Sequence, residues 1–258
     1  MHPMLNIAVR AARAAGNIIA RGFENQSELM IEAKGNNDYV TRIDKEAEQA
    51  IIRKIQQSYP EHSFVGQEGG VVEGDNDFKW IIDPLDGTIN FIKGIPHFAV
   101  SIALMHKGRL DQAVVFDPIR GELFTASKGG GAQLNGFRIR ASKAKELNQT
   151  ILGTALPFKN KDSVPTYLES FHTIYMQAGD IRRSGSTALD LAYVAAGRYD
   201  GHWEKGVKPW DIAAGELLVR ESGGLVTDYN GGNDPMHKGE IVAGSPKVVQ
   251  TLVKYLKD

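Results

Sequence analysis

The sequence contains no cysteine and no long apolar run. Without cysteine the chain can form neither a disulfide nor a thiolate metal site, so metal ligands would come from carboxylates, amides or the 7 histidines. Oxygen-rich sites favour magnesium, manganese or calcium. No stretch approaches the roughly 18 apolar residues of a membrane-spanning helix, and no secretory signal is evident. We therefore expect a cytoplasmic protein without a membrane partner.

The sequence also lacks a charge excess of either sign. Its 30 Lys and Arg residues face 31 Asp and Glu residues, which leaves a net charge of -1. Such a chain has no overall basic field to attract nucleic acid. We expect no autonomous nucleic-acid binding, whereas the hydrophobic fraction of 42% is ample for a developed core.

Apolar periodicity predicts a mixed α+β architecture. Apolar positions at helical spacing predict a helix near the start of the chain and a second helix ending before Pro60. Residues 99–140 alternate short apolar runs with turn signals, which predicts an antiparallel meander. Beyond residue 141 strands and helices alternate, which favours parallel pairings with covering helices. We predict two closely joined parts, 1–140 and 141–258, that form one catalytic unit.

The segment "WIIDPLDGTINF", residues 80–91, is an apolar strand that runs into two acids, Asp83 and Asp86. A lone Asp after a strand is usually a turn residue or a helix cap. If Gly87 and Thr88 open a helix or a similar nest of N–H groups, those donors would suit a phosphate. Carboxylates beside a phosphate repel it unless cations lie between them. The pattern therefore favours a site where metal ions hold a phosphate.

"DPLDGTINF" closely resembles the signature of the inositol monophosphatase family, and "KPWDIAAGELLVRESGG" resembles its second signature. With "YVTRIDKEAE" and the strand-rich middle, the resemblance covers essentially the whole chain. The start of the chain and the general sequence resemble the bacterial SuhB-type branch of the family. It implies a layered αβαβα sandwich and usually a homodimer. It also implies a magnesium-dependent, lithium-sensitive phosphomonoesterase that hydrolyses inositol monophosphate, or a related small polyol phosphate, with metal-activated water.

The resemblance assigns roles to matching positions. The implied ligands of two or three Mg²⁺ ions are Asp83, Asp86, Asp211 and the backbone carbonyl of Leu85, most of them in the first part of the chain. Lys34 and Asp44 match residues near the metals, and Asp44 with Thr88 would orient the attacking water. Gly87 and Thr88 would bind the phosphate, and Gly185, Ser186, Thr187, Glu204 and Asp211 would bind the rest of the substrate.

Simpler interpretations remain open for three of these acids. Asp211 and Asp44 could each cap the helix that they begin, because a carboxylate is favourable at the positive end of a helix. Capping and a site role can coexist. Glu204 could form only a surface ion pair with Lys205.

Two positions depart from the family pattern. The family's first metal-binding glutamate directly follows a glycine, but here that stretch reads "GQEGG", with Gln67 at the position and Glu68 after it. A glutamine carbonyl can ligate magnesium but brings no charge, so we expect weaker metal binding. The alternative is that Glu68 is the ligand. Ile89 replaces a small hydroxyl residue that commonly follows Thr88.

Three functions compete. The first is hydrolysis of inositol monophosphate or a related small polyol phosphate. The second is the same chemistry on a sugar bisphosphate or on 3′-phosphoadenosine 5′-phosphate. The third, of a different class, is a weakened phosphatase that acts as a protein-binding factor with ribosomal RNA transcription complexes. Near-neutral charge means that the last role would require transcription-complex proteins as partners.

Overall fold

The structure is a computed structural model that describes residues 2–25, 31–35, 38–158 and 161–256, with only the backbone described from 31 to 40. The helices of this part are α1 (Pro3–Glu24), α2 (Arg42–Gln56), α3 (Thr88–Ile92), α4 (Val164–Tyr175), α5 (Thr187–Ala195), α6 (Pro209–Glu221), α7 (Pro235–Lys238) and α8 (Pro246–Leu256). The strands are β1 (Ile31–Gly35), β2 (Asp38–Thr41), β3 (His62–Gly66), β4 (Gly70–Val72), β5 (Asp75–Asp86), β6 (Ala99–His106), β7 (Arg109–Asp117), β8 (Glu122–Ser127), β9 (Gly131–Leu134), β10 (Phe137–Arg138), β11 (Ile151–Thr154), β12 (Asp180–Arg182), β13 (Gly201–Lys205), β14 (Leu225–Thr227) and β15 (Glu240–Gly244). No helix within these ranges is both long and apolar enough to cross a membrane.

The larger sheet has eight strands in the order β10-β9-β8-β7-β6-β5-β3-β4. Strands β6 to β10 pair antiparallel in sequence, which is the predicted meander. Strand β3 instead runs parallel to β5. Helices α1 and α2 cover one face, because apolar residues at helical spacing, such as Ala8, Ile19 and Ile51, are fully or almost fully buried against strand residues such as Phe64 and Trp80.

The smaller sheet has five strands in the order β12-β11-β13-β15-β14. Strand β11 pairs parallel with β12 and β13, whereas β15 pairs antiparallel with β13 and β14. Helices α5 and α6 lie between the two sheets, since their buried residues share one core with Ile81 and Val115 of the larger sheet and Ile241 of the smaller. The outer face of the smaller sheet packs against α4 and α8 through residues such as Ile174 and Val248.

The order of layers is therefore helix, sheet, helix, sheet, helix. This arrangement confirms the mixed α+β class and the layered αβαβα sandwich. The predicted division near residue 140 falls between β10, in the larger sheet, and β11, in the smaller one. That division stays a prediction.

Candidate active site

A β-bulge at the end of β5 brings Asp83 and Asp86 together. Asp83 pairs with Ser101 of β6 and Asp86 with Ala99, so three steps along β5 match two along its neighbour. On a regular strand, side chains three positions apart point to opposite faces. The extra residue reverses that parity, so that both carboxylates face the same space.

A left-handed glycine follows the second carboxylate. Gly87 has φ of 100° and directly precedes α3. A Cβ atom at this position would lie 3.0 Å from the carbonyl oxygen of His97, so the turn requires glycine for space as well as for conformation. This turn places the Thr88 hydroxyl 3.1 Å from the Leu85 carbonyl oxygen and 3.3 Å from Asp44 Oδ1. Either oxygen can accept a hydrogen bond from that hydroxyl.

Asp44 is both a cap and a member of this cluster. It occupies the third position of α2, where its Oδ2 accepts the Thr41 N–H at 2.9 Å and the Thr41 hydroxyl at 2.5 Å. Burial raises the pKa of Asp44 to about 6, against the lowering effect of the Thr41 hydrogen bonds, and the charge of Glu68 raises it further. Asp211 likewise accepts the Lys208 N–H at 2.7 Å at the start of α6. Asp44 and Asp211 therefore both cap their helices, as the simpler interpretation of the sequence allowed, and both also lie near Asp83.

Parallel pairing places Gln67 beside Asp83. Gly66 at the end of β3 pairs with Ile82, and the Gln67 N–H donates to the Ile82 carbonyl at 3.2 Å. In the amide orientation that satisfies both of its polar atoms, the Gln67 side-chain nitrogen donates to Asp83 Oδ1 at 2.7 Å, with Oδ2 at 3.2 Å. Glu68, by contrast, is close enough to Asp44 to raise its pKa. The two adjacent side chains therefore face different carboxylates of the same cluster.

Glu48 fixes the loop that carries Gln67, and sequence reasoning missed it. Its buried carboxylate accepts the N–H of Glu68 at 2.9 Å and the N–H of Gly69 at 2.5 Å. A Cβ at Gly66 would collide with the same carboxylate. Glu48 lies four residues after Asp44 in α2, so both acids share one helix face. That spacing in "IDKEAE" is the signal that could have identified it.

The cluster is electrostatically unfavourable without a cation. Asp83 is 1% exposed, and burial raises its pKa well above the ordinary value. The charges of Asp86, Asp211 and Asp44 raise it further, in that order, while the Leu85 N–H, at 3.0 Å from Oδ1, opposes them. Burial also raises the pKa of Asp86 to about 6. Among the described residues, the charged neighbours that shift the pKa of Asp83 most, Asp86, Asp211 and Asp44, are all carboxylates.

This donor set fits a hard divalent cation. Carboxylate and carbonyl oxygens are the ligands such ions prefer, and a cation would relieve the repulsion that raises these pKa values. In the part of the chain that the structure describes, no three acidic or histidine side chains already stand together as a metal-binding group. The acids are instead held by hydrogen bonds, as when Asp86 Oδ2 accepts the Ser186 hydroxyl at 2.6 Å and the Ala188 N–H at 2.7 Å. The Lys34 side chain lies outside the described residues.

Glu204, on β13, is close enough to Asp86 for its charge to raise the Asp86 pKa. Glu204 Oε2 accepts the Thr187 hydroxyl at 2.7 Å and lies 3.2 Å from His202 Nε2. Glu204 does not form the surface ion pair with Lys205 that the sequence left open, because Lys205 pairs with Glu240 at 3.0 Å. Gly185, Ser186 and Thr187 lead into α5, with Gly185 at φ of 93°. The structure thus brings this predicted segment to both Asp86 and Glu204.

Sequence reasoning also missed two buried groups beside Glu204. Asp190, within α5, accepts the Ser184 hydroxyl at 2.6 Å and lies 3.6 Å from His202 Nδ1. Both Asp190 and His202 are almost completely buried. The available signal was a charged residue inside the apolar helix segment "STALDLAYVAAG".

In this layered αβαβα sandwich, carboxylates gather at the end of β5, and such an oxygen-rich site suits metal-dependent chemistry on an anionic substrate. The model of the inositol monophosphatase family matches residues 1–258. A relative from Escherichia coli (strain K12), named Nus factor SuhB, is 56% identical over 259 residues, which cover 100% of this chain and 97% of the relative. The chain belongs to the inositol monophosphatase family.

Solved structures agree with that placement. The extragenic suppressor protein suhB from Bartonella henselae superposes with a TM-score of 0.97 at 41% identity, covering 100% of this chain and 99% of that one. Inositol monophosphatase from Anabaena (Nostoc) sp. PCC 7120 superposes with a TM-score of 0.88 at 35% identity, covering 98% and 94% respectively. The chain is therefore similar both to proteins named for phosphatase activity and to proteins named SuhB.

Proposed function

We propose that this protein is a magnesium-dependent phosphomonoesterase that hydrolyses inositol monophosphate, or a related small polyol phosphate, to the free polyol and phosphate. One observation carries the proposal. Buried Asp83 is surrounded by Asp86, Asp211 and Asp44, each of which raises its pKa. Carboxylates are retained together in a buried place when a cation or a reaction needs them.

The acidic cluster would hold the metal. Asp83, Asp86 and Asp211 supply carboxylates, and the Leu85 carbonyl supplies a neutral oxygen with a second lone pair beyond the one that Thr88 uses. Gln67 would contribute only a neutral carbonyl oxygen, after rotation of the amide that now donates to Asp83. When bound, two or three Mg²⁺ ions would offset the charge of the phosphate and the leaving oxygen and would lower the pKa of water.

The chain's own groups would orient the reactants. Asp44 Oδ1 and the Thr88 hydroxyl, 3.3 Å apart, form an acceptor and donor pair that can hold an attacking water and accept its proton. The raised pKa of Asp44, about 6, suits a proton acceptor that works near neutral pH. The backbone N–H groups of Gly87 and Thr88 would bind the phosphate.

The polyol would lie between the cluster and Glu204. The Glu204 carboxylate can accept hydrogen bonds from substrate hydroxyls, with Gly185, Ser186 and Thr187 beside the ring and Asp211 at the metal side. A small polyol phosphate suits this site, because Glu204 can accept its hydroxyls while metal held by the acidic cluster binds its phosphate. Lithium sensitivity, a homodimer and a cytoplasmic location, which the family resemblance and sequence led us to expect, belong to this proposal.

The deciding experiment is phosphate release from inositol 1-phosphate across a magnesium titration. A sugar bisphosphate and 3′-phosphoadenosine 5′-phosphate, tested in parallel, separate the competing substrates. Asp77→Asn is a matched control for Asp86→Asn, since both residues lie in β5 but Asp77 is exposed. We expect Asp77→Asn to be active and Asp86→Asn inactive. Equal rates for the two variants and the wild-type protein would refute the metal-site assignment.

A role in transcription complexes is the second candidate. The name Nus factor SuhB of the 56% identical relative favours it, as does the uncharged Gln67 in the acidic cluster, which lowers the ligand charge available to metal. With a net charge of -1, the protein would act through protein partners. Pull-down from a bacterial lysate with and without nuclease tests this: retention of transcription proteins after nuclease treatment supports it, and their loss refutes direct protein contact.

A further inference from the structure

A fully buried histidine lies between two acids behind the polyol side of the site. His202 Nδ1 is 3.6 Å from Asp190 Oδ2, and its Nε2 is 3.2 Å from Glu204 Oε2. The ring is 0% exposed, and Asp190 is 2% exposed. A polar ring in such a place costs free energy unless its nitrogens are used, so its partners define what it does.

The sheet makes this contact possible. His202 and Glu204 are two positions apart in β13, so their side chains lie on the same face, while Trp203 packs into the core on the other face. On the neighbouring strand, a Cβ at Gly153 would lie 2.8 Å from His202 Nδ1. Glycine at that position therefore leaves the space that the imidazole occupies.

Charge also favours this arrangement. Burial alone would lower the pKa of His202, but the hydrogen bond with Glu204 and the charge of Asp190 raise it above its ordinary value. Asp86 adds to the same effect from β5. Burial raises the pKa of Asp190 to about 7, and the His202 charge opposes that rise. His202 Nε2 is within hydrogen-bond distance of Glu204 at 3.2 Å, whereas Nδ1, 3.6 Å from Asp190, has no hydrogen-bond partner among the described residues, so Asp190 acts on the ring through its charge.

Helix α5 links this cluster to the metal side. Its Thr187 donates to the same Glu204 oxygen that His202 contacts, and its Asp190 faces the other side of the ring. The Ala188 N–H, in the same first turn, donates to Asp86. One helix end therefore sets the distance between the carboxylate proposed for metal and the carboxylate proposed for substrate.

We propose that His202 is a positioning residue for substrate recognition: backed by Asp190, it holds Glu204 Oε2 in place and leaves Oε1 to accept a ring hydroxyl of the polyol. This inference rests on the proposed function. Two donors, Thr187 and His202, fix one oxygen of Glu204, so the carboxylate loses little rotamer freedom when the substrate binds. His202 therefore determines affinity for hydroxyl-bearing substrates and leaves phosphate chemistry unaffected.

A double-mutant cycle tests the proposal. His202→Phe keeps a planar ring but removes both nitrogens, His202→Gln keeps a side-chain N–H donor, and Glu204→Gln removes the acceptor charge. For inositol 1-phosphate we expect His202→Phe to raise KM roughly 10-fold, or about 1.4 kcal/mol, with kcat nearly unchanged. His202→Gln should restore most of the affinity. In the Glu204→Gln background, His202→Phe should change KM less than about two-fold, because the residue acts through Glu204.

A substrate without hydroxyls and a spectroscopic readout complete the design. For p-nitrophenyl phosphate, His202→Phe should leave KM unchanged. In long-range ¹H–¹⁵N spectra of the wild-type protein, the ring signals that His202→Phe removes should report a protonated Nε2 and should shift in Glu204→Gln. An equal rise in KM for both substrates, or in both Glu204 backgrounds, would overturn the proposal.

The spectra also separate this inference from the proposed function. A protein that hydrolyses no phosphomonoester refutes the proposed function, whatever its spectra show. His202 signals that do not respond to Glu204→Gln refute the positioning role, even in an active enzyme. If His202→Phe does not fold, His202→Gln, which also lacks the ring, assigns the His202 signals, and their response to Glu204→Gln still decides.

Discussion

Replacing Gln67 by glutamate would test how the acidic cluster is balanced. The Gln67 amide donates to Asp83 Oδ1 at 2.7 Å, and Asp83 already has its pKa raised by burial and three carboxylates. Gln67→Glu exchanges this donor for another acid. Without metal the change removes a hydrogen bond and adds repulsion, whereas with metal it adds a charged ligand. The two conditions should therefore respond in opposite directions.

The magnitudes follow from these contacts. A hydrogen bond to a charged group contributes about 1.5 to 3 kcal/mol, so the metal-free variant should lose about 2 kcal/mol of unfolding free energy. For a domain of this size that corresponds to a fall in Tm of about 4 to 8 °C. Opposite unit charges about 4 Å apart attract by about 4 kcal/mol at an effective dielectric constant of 20. Proton competition and desolvation cancel much of this, so we expect a net gain of about 1.4 kcal/mol, a tenfold lower half-saturating magnesium concentration.

Thermal unfolding in chelator and across a magnesium titration measures both effects, and phosphate release measures the second independently. Gln149→Glu, at an exposed position outside the cluster, controls for the added charge. Glu68→Gln tests the neighbouring acid, which we expect to matter less. If Gln67→Glu changes neither Tm nor magnesium dependence while Glu68→Gln eliminates metal binding, Glu68 is the ligand and the assignment of Gln67 is wrong.

Three further outcomes are expected. Asp86→Asn should abolish hydrolysis at saturating magnesium yet raise the metal-free Tm, because it removes one repelling charge; near-normal turnover would contradict the metal role. Calorimetry should show much weaker binding of a phosphate analogue after chelation, and equal affinity would point to a basic pocket instead. In chelator, Tm should fall as pH rises through about 6. The pKa values of Asp44 and Asp86 are raised from 3.8 in the unfolded chain to about 6 in the folded protein, so the folded state binds more protons between these values. The associated stability is therefore present at low pH and is lost as pH rises through the folded pKa. A Tm that rises over this interval, or the same fall in Asp86→Asn, would refute that origin.

The sequence motif indicated that Asp83 and Asp86 act together, but not how the backbone allows it. Their spacing of three places them on opposite faces of a regular strand, and only the bulge opposite Ser101 and Ala99 corrects this. A bulge depends on the pairing with β6, which local sequence does not encode. Helix caps, in contrast, are local, and both candidate caps at Asp44 and Asp211 are present.

Contacts between distant elements could not be predicted. Asp190 and His202 lie on a helix and a strand whose packing depends on the whole smaller sheet, so no local pattern places them together. Glu48 is similar, because its partners at Glu68 and Gly69 come from a loop beyond β3. Periodicity and motif spacing predict the layers and the main site residues, whereas the residues that hold the site in place depend on tertiary packing.

The Gln67–Asp83 hydrogen bond bears on both candidate functions at once. An amide that donates to buried Asp83 partly satisfies the cluster when no cation is present, so the fold depends less on metal than it would with a further acid at this position. Hydrolysis needs an occupied site, but contact with a transcription complex needs only a folded surface. The two functions therefore separate in Asp86→Asn: a protein that has lost hydrolysis and still retains its partners acts through its surface, whereas loss of both would tie partner binding to the state of the site.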